Sequence, residues 1–304
     1  MTRAPNLAVA DDNGKVPFEE AFAIFLNSGD RSALVDHLLS RSNLPGPRAN
    51  LELLHRFSSS VERECGNHRE ELWDLCLSFI SLPKDKAFTG SAMEFIPMCG
   101  TVGFGALGLC DGAPLNRFFD ESMEKLKLIA GDPRWRVRES VAMALQKIIE
   151  SSKARAVRTL SDWIEPGNWL QMRAVAAGIA EPPLLSDPEL GRHALELHRE
   201  IVHHIVSFLE RTHAATLSEV MRSDPFKKLV QALEYSVSVV VAARPEEGFP
   251  FLHELTEIVA ARRNDPERAK AALVVRKIVK ENLKKARLLR AFPNQVDELM
   301  RALA

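Results

Sequence analysis

"CGTVGFGALGLCDG", residues 99–112, decides between two kinds of fold. Gly103, Gly105 and Gly108 spell G-x-G-x-x-G, the pattern in which glycines turn a strand tightly into a helix whose N-terminal amides face a pyrophosphate. The motif carries that meaning only when a strand precedes it and a long helix follows. Here Pro97 breaks the preceding segment, "LCDGAP" interrupts the helix within three residues of Gly108, and no βαβ pattern surrounds the stretch. The glycines and Ala106 read instead as side-chain bulk removed, so that an uncharged segment lies close against neighbouring helices or bends between them. No nucleotide cofactor is expected.

Outward from this stretch, apolar residues recur at helical spacing: Phe18, Phe22 and Phe25, then Leu34 and Leu38, then Leu51, Leu54 and Phe57. Four Asp-Pro pairs, at Asp132, Asp187, Asp224 and Asp265, precede such segments, which suits an Asp N-cap with proline at the first helical position. The best rival for a strand is "YSVSVVVAARP" (235–245), where β-branched valines cluster. From Pro225 onward, however, Leu229, Leu233, Val237 and Val240 keep a three-to-four residue spacing, and no hairpin signal flanks the stretch, so a helix is expected. Glycine is absent between Gly191 and Gly248 and again after Gly248, against a turn-rich β region. The fold class is all-α.

Composition narrows the function classes. The 304 residues carry 40 Lys plus Arg against 41 Asp plus Glu, a net charge of −1, so the overall balance selects no partner and the distribution of charge must do so. The first 16 residues read as a polar tail without the apolar stretch of a signal peptide, and 17–304 as a single helical-repeat domain. Cys65, Cys76, Cys99 and Cys110 form no C-x-x-C, so reduced thiols in a cytoplasm are expected. The longest uncharged run, Phe95 to Cys110, has 16 residues with Pro97 and four glycines, short of the ~20 apolar residues of a membrane helix; no membrane partner is expected.

Two segments look like copies of one unit. "GDPRWRVRESVAMAL" (131–145) and "PGNWLQMRAVAAGIA" (166–180) align at an offset of 35, matching Arg138 with Arg173 and Ala142 with Ala177, with Trp135 and Trp169 one position out of register. Such a period is the mark of stacked helix pairs, because one pair cannot bury its apolar face alone. "DPRWRVRESVAMAL" resembles the second helix of a HEAT repeat, with Asp132, Val137, Arg138 and Ala142 in the places where that family has a turn Asp, a Val-Arg pair and a small alanine. The resemblance is clear over about 115–180, weaker elsewhere, and the second copy has Gly167 where Asp132 stands. It implies a HEAT-like α-α superhelix, a solenoid of antiparallel helix pairs.

Candidate binding residues follow from charge and aromaticity. Arg134, Trp135, Arg136 and Arg138 put three guanidinium groups and an indole at a helix start, and Trp169 with Arg173 repeats part of that arrangement. Arginine grips phosphate bidentately and indole stacks on a base, so adjacent repeats would line a nucleic-acid groove. The competing reading, implied for Arg138 and Arg173 by the HEAT resemblance, is that they hydrogen-bond to turn residues while the tryptophans pack between repeats. A second candidate is the stretch from Arg262 to Arg290, with eleven basic residues, among them Arg276, Lys277 and Lys280, against Asp265, Glu267 and Glu281. That excess would hold a polyanion at one end of the chain, unless it is a merely solvated face.

Metal and catalytic chemistry have less support. His193, His198, His203 and His204 crowd one stretch, yet no two stand three or four residues apart, so no metal site is expected. "ELWDLCLSF" (71–79) is partly similar to the W-D-x-x-x-D segment of HEAT-like DNA alkylation repair glycosylases, with Trp73 and Asp74 present. The second carboxylate position falls on Cys76, Leu77 or Ser78, leaving Asp74 or Glu71 as the only catalytic carboxylates that reading offers. The expectation is a noncatalytic HEAT-like scaffold, without cofactor, that engages a protein partner or a nucleic-acid backbone on its concave face. The alternative is a glycosylase acting on alkylated bases.

Overall fold

The computed structural model describes residues 16–110 and 117–303, so the expected N-terminal tail lies, but for Val16, outside the described residues. Every regular element among the described residues is helical. No described helix is long and apolar enough to cross a membrane. The chain divides into two compact units, Met1–Ala144 and Leu145–Ala304.

The first unit contains α1 (Phe18–Ser28), α2 (Ser32–Ser40), α3 (Leu51–Glu64), α4 (Arg69–Ile80), a 3₁₀ turn (Ala92–Glu94), α5 (Phe95–Leu107), α6 (Arg117–Ile129) and the start of α7 (Trp135–Ser161). The opening stretch is its centre. All 13 residues of α5 are buried, and α2, α3, α4 and α6 pack against it. A Cβ on Gly105 would sit 2.8 Å from the Ala144 Cα, and one on Gly103 would run into the Cys76 sulfur and stand 3.3 Å from the Phe57 ring. The missing side chains therefore set how closely α5 meets α3, α4 and α7, and Gly108 is the residue on which α5 ends. Pro97 does not break the segment. It is the third residue of α5, in the first turn, where a backbone N–H has no helical acceptor to lose.

The second unit holds the rest of α7 and then α8 (Trp169–Ile179), α9 (Pro182–Leu185), α10 (Pro188–Arg211), α11 (Ala214–Arg222), α12 (Asp224–Ala243), α13 (Pro245–Arg262), α14 (Ala269–Leu283), α15 (Ala286–Leu289) and α16 (Pro293–Ala302). The valine-rich stretch lies in α12, as its spacing predicts, and packs against α8, α10, α13 and α14 with Val237, Val239, Val240 and Val241 all buried. Burial on nearly every side overrides the β preference of valine.

Of the Asp-Pro pairs, one caps its helix as expected: the Asp187 carboxylate accepts the Glu189 and Leu190 N–H groups at the start of α10. At α12 the cap is Ser223, which accepts from Phe226, and Asp224 becomes the first helical residue. Asp132 and Asp265 instead turn the chain ahead of α7 and α14, each accepting the N–H two residues on. A short carboxylate followed by proline serves a turn as readily as a cap.

Candidate functional site

The three arginines at the start of α7 face inward, and Trp135 faces out. The Arg134 Nε and Nη2 donate to the two carboxylate oxygens of Asp132 at 2.9 and 2.7 Å, while Nη1 reaches the Ala87 carbonyl. Arg136 donates to Glu94 Oε2 at 3.0 Å and to the Gly46 carbonyl at 2.9 Å. Arg138 donates from Nη1 to the carbonyls of Asp132 and Pro133, the turn residues of its own helix start. All three arginines are buried, and the hydrogen bonds they make go to turns and loops of the first unit. Trp135 is 44% exposed and lies 4.4 Å above the Arg136 guanidinium.

The corresponding pair in the second unit differs. Trp169 is buried, edge-to-face with Phe208 at 4.9 Å and Phe226 at 5.2 Å, and Arg173 is half-buried on α8. Each tryptophan opens its helix, but the Trp135 indole meets solvent and the Trp169 indole fills the core. Glu71 and Asp74 are exposed on α4, whereas Trp73 between them is held by Phe104 and Phe118.

The basic stretch makes a surface. On α14 the residues Ala271, Val274, Val275, Ile278, Val279, Asn282 and Leu283 are buried, which turns Leu273, Lys277, Lys280 and Lys284 outward in one stripe at helical spacing. Asn282 fixes that stripe against α12. Its side-chain oxygen accepts the Ser238 N–H at 2.7 Å, and its amide donates to the Leu233 and Ile278 carbonyls, both at 2.7 Å. The neighbouring face of α12 exposes Tyr235, which is 53% accessible. Arg287 of α15 stands over the ring, 4.5 Å from its centre, and donates to the phenol oxygen at 2.6 Å, with the Lys285 ammonium 5.8 Å from the same ring.

Acidic neighbours offset only part of this charge. Glu234 pairs with Lys277 at 2.7 Å and Glu281 with Lys284 at 2.6 Å. The Glu281 carboxyl is held below its ordinary range by the hydrogen bond from Lys284 and, against desolvation, by the charges of Lys284, Lys285 and Lys277. Lys280, Lys285, Arg287 and Arg290 make no close ion pair with a carboxylate among the described residues, although the Lys285 charge is felt at Glu281. Arg276 differs from Lys277 and Lys280: half-buried, it donates to the Leu303 carbonyl and ties α14 to the end of the chain.

The sequence does not single out Tyr235, Asn282 or Glu94. Tyr235 is the only tyrosine of the chain, and Asn282 a polar residue on the apolar side of α14, so both carried a signal; nothing local marks Glu94 as buried. Among the histidines, His198 is wholly buried, with Nδ1 on the Ala194 carbonyl at 2.7 Å and Nε2 on the Ser236 hydroxyl at 2.9 Å. Burial pulls its pKa down to about 4, so it is neutral, with Nδ1–H donating and Nε2 accepting. No group of three or more His, Cys, Asp or Glu able to hold a metal occurs among the described residues. No protein-family model and no curated protein matches the chain, so its role rests on these residues alone.

Proposed function

We propose that the chain is a noncatalytic helical scaffold, built of HEAT-like antiparallel helix pairs, that holds a nucleic-acid phosphate backbone on the α12–α14–α15 face of its second unit. The observation that carries this reading is the exposed Tyr235 ring with Lys285 and Arg287 over it, next to the helix on which Lys277, Lys280 and Lys284 form an exposed stripe. Flexible ammonium groups meet phosphates as point charges, and an exposed aromatic edge among them adds contact with sugar or base. An acidic protein segment would meet the charge but would make less use of the ring.

The reading differs from the groove expected at Arg134, Arg136 and Arg138, whose guanidinium groups are bound within the fold. Its test is binding of the full chain to a fluorescent duplex across a salt series, with an alkylated duplex in parallel whose base release is followed. Salt-sensitive binding without release is the expected result. Release that is lost in Asp74→Asn would replace it with the glycosylase reading, and binding to an acidic peptide but not to the duplex would replace it with a protein partner.

A further inference from the structure

A cavity of about 510 Å³ opens in the second unit between α9, the start of α10 and the last turns of α12, with Arg287 of α15 beside them. Its volume lies in the range that holds small organic ligands. Leu185, Val239 and Ala242 give it an apolar wall. The residues that complete the wall add few donors: Pro182 and Pro188, which open α9 and α10, carry no N–H, and the Ser186 hydroxyl donates to the Pro183 carbonyl at 2.6 Å. Its charged lining consists of two arginines, Arg244 and Arg287, and among the described residues no carboxylate lines it.

Both guanidinium groups are held in place with N–H groups left over. A Cβ on Gly191 would stand 2.9 Å from the Arg244 Cγ and 3.0 Å from its Cδ, so the arginine stem lies against α10 where the glycine leaves room. Its Nη2 donates to Glu247 at 2.7 Å, and its Nε–H has no acceptor among the described residues. Arg287 is fixed by its hydrogen bond to the Tyr235 hydroxyl at 2.6 Å. A guanidinium carries five N–H groups, so each arginine keeps donors beyond the one engaged.

We infer that this cavity binds a small organic monocarboxylate, with its apolar body against Leu185, Val239 and Ala242 and its carboxylate held by Arg244 and Arg287. The two oxygens of a planar carboxylate match the guanidinium fork. A phosphate brings a third oxygen and more charge, for which the proline-lined wall has no further N–H. A neutral ligand would leave both cations without a counter-charge. The carboxylate and the nucleic acid have only Arg287 in common, so the carboxylate site is tested with no nucleic acid present.

The test is isothermal titration calorimetry of the full chain with octanoate, set against 1-octanol, which has the chain without the charge, and acetate, which has the charge without the chain. Octanoate should bind at one saturable site, about tenfold or more tighter than either control. In Arg244→Gln and in Arg287→Gln its affinity should fall about tenfold. Ala242→Phe, which fills the cavity and keeps both cations, should abolish binding; if circular dichroism shows that variant unfolded, the two arginine variants decide. Heat that millimolar octanoate does not saturate, equal affinity for 1-octanol or acetate, unchanged octanoate affinity in either arginine variant, or full binding by folded Ala242→Phe would each overturn the assignment.

Discussion

At the scale of single residues, the arginines of α7 act as staples. Arg136 and Glu94 form a buried ion pair, and the second Glu94 oxygen has no hydrogen-bond partner among the described residues. Breaking such a pair from one side leaves an uncompensated charge, so Arg136→Met should cost about 3–5 kcal/mol in denaturant unfolding, and Arg136→Met with Glu94→Gln clearly less. Equal losses in the single and double variants would contradict the pairing. His198 gives a prediction in pH. Its folded pKa is about 4 and its unfolded value about 6.5, so between these values the unfolded chain binds more protons and stability falls as the pH drops. Between about pH 7 and about pH 4 the wild type should lose roughly 3 kcal/mol more than His198→Gln, all of it inside that window. Parallel curves for the two proteins would show that His198 titrates normally. The residue types were legible in "DPRWRVR", but the direction of each side chain was not: burial of Arg134 and Arg136 depends on Ala87, Gly46 and Glu94, which are distant in sequence.

At the scale of elements, close approach and polar stapling set the helix placements. Gly105 lies against the Ala144 backbone, so Gly105→Ala should destabilise by about 1–3 kcal/mol through overpacking, although alanine is the better helix former. A stabilised Gly105→Ala protein, measured by thermal melting, would show that α5 has room to move away. Asn282 satisfies its polar atoms on α12 and α14, and Asn282→Leu would leave the Ser238 N–H and the Leu233 carbonyl without that partner. The expected cost is about 1–3 kcal/mol. Helix type was readable throughout, because period and turn residues are local. The valines of α12 reached their helix by the spacing of Leu229, Leu233, Val237 and Val240. Boundaries were less readable: Asp224 and Asp265 looked like caps, but Ser223 caps one helix and the other begins four residues after its aspartate. Pro97 was misread for the same reason, since a proline is a breaker or a first-turn residue according to where the helix begins.

At the scale of the whole molecule, charge is segregated in a chain whose net charge is −1. The excess of cations between Arg262 and Arg290 was legible as composition, but not how much of it is internally matched. Arg262, Arg268, Lys277 and Lys284 are paired to carboxylates, and Arg276 holds the Leu303 carbonyl. Of what is left, Lys285 and Arg287 stand at Tyr235, to which the sequence offered no pointer beyond its being the single tyrosine. The α12–α14–α15 face predicts a specific signature. Each phosphate contact contributes about −0.9 to the slope of log affinity against log salt on B-form DNA. The most direct measurement is that slope for the wild type and for Lys280→Gln, whose side chain is exposed and whose loss should leave the fold intact. A wild-type slope of several units, made shallower by about one in Lys280→Gln, is the predicted result. Binding that ignores salt, or a slope that Lys280→Gln leaves unchanged, would contradict the assignment of this face.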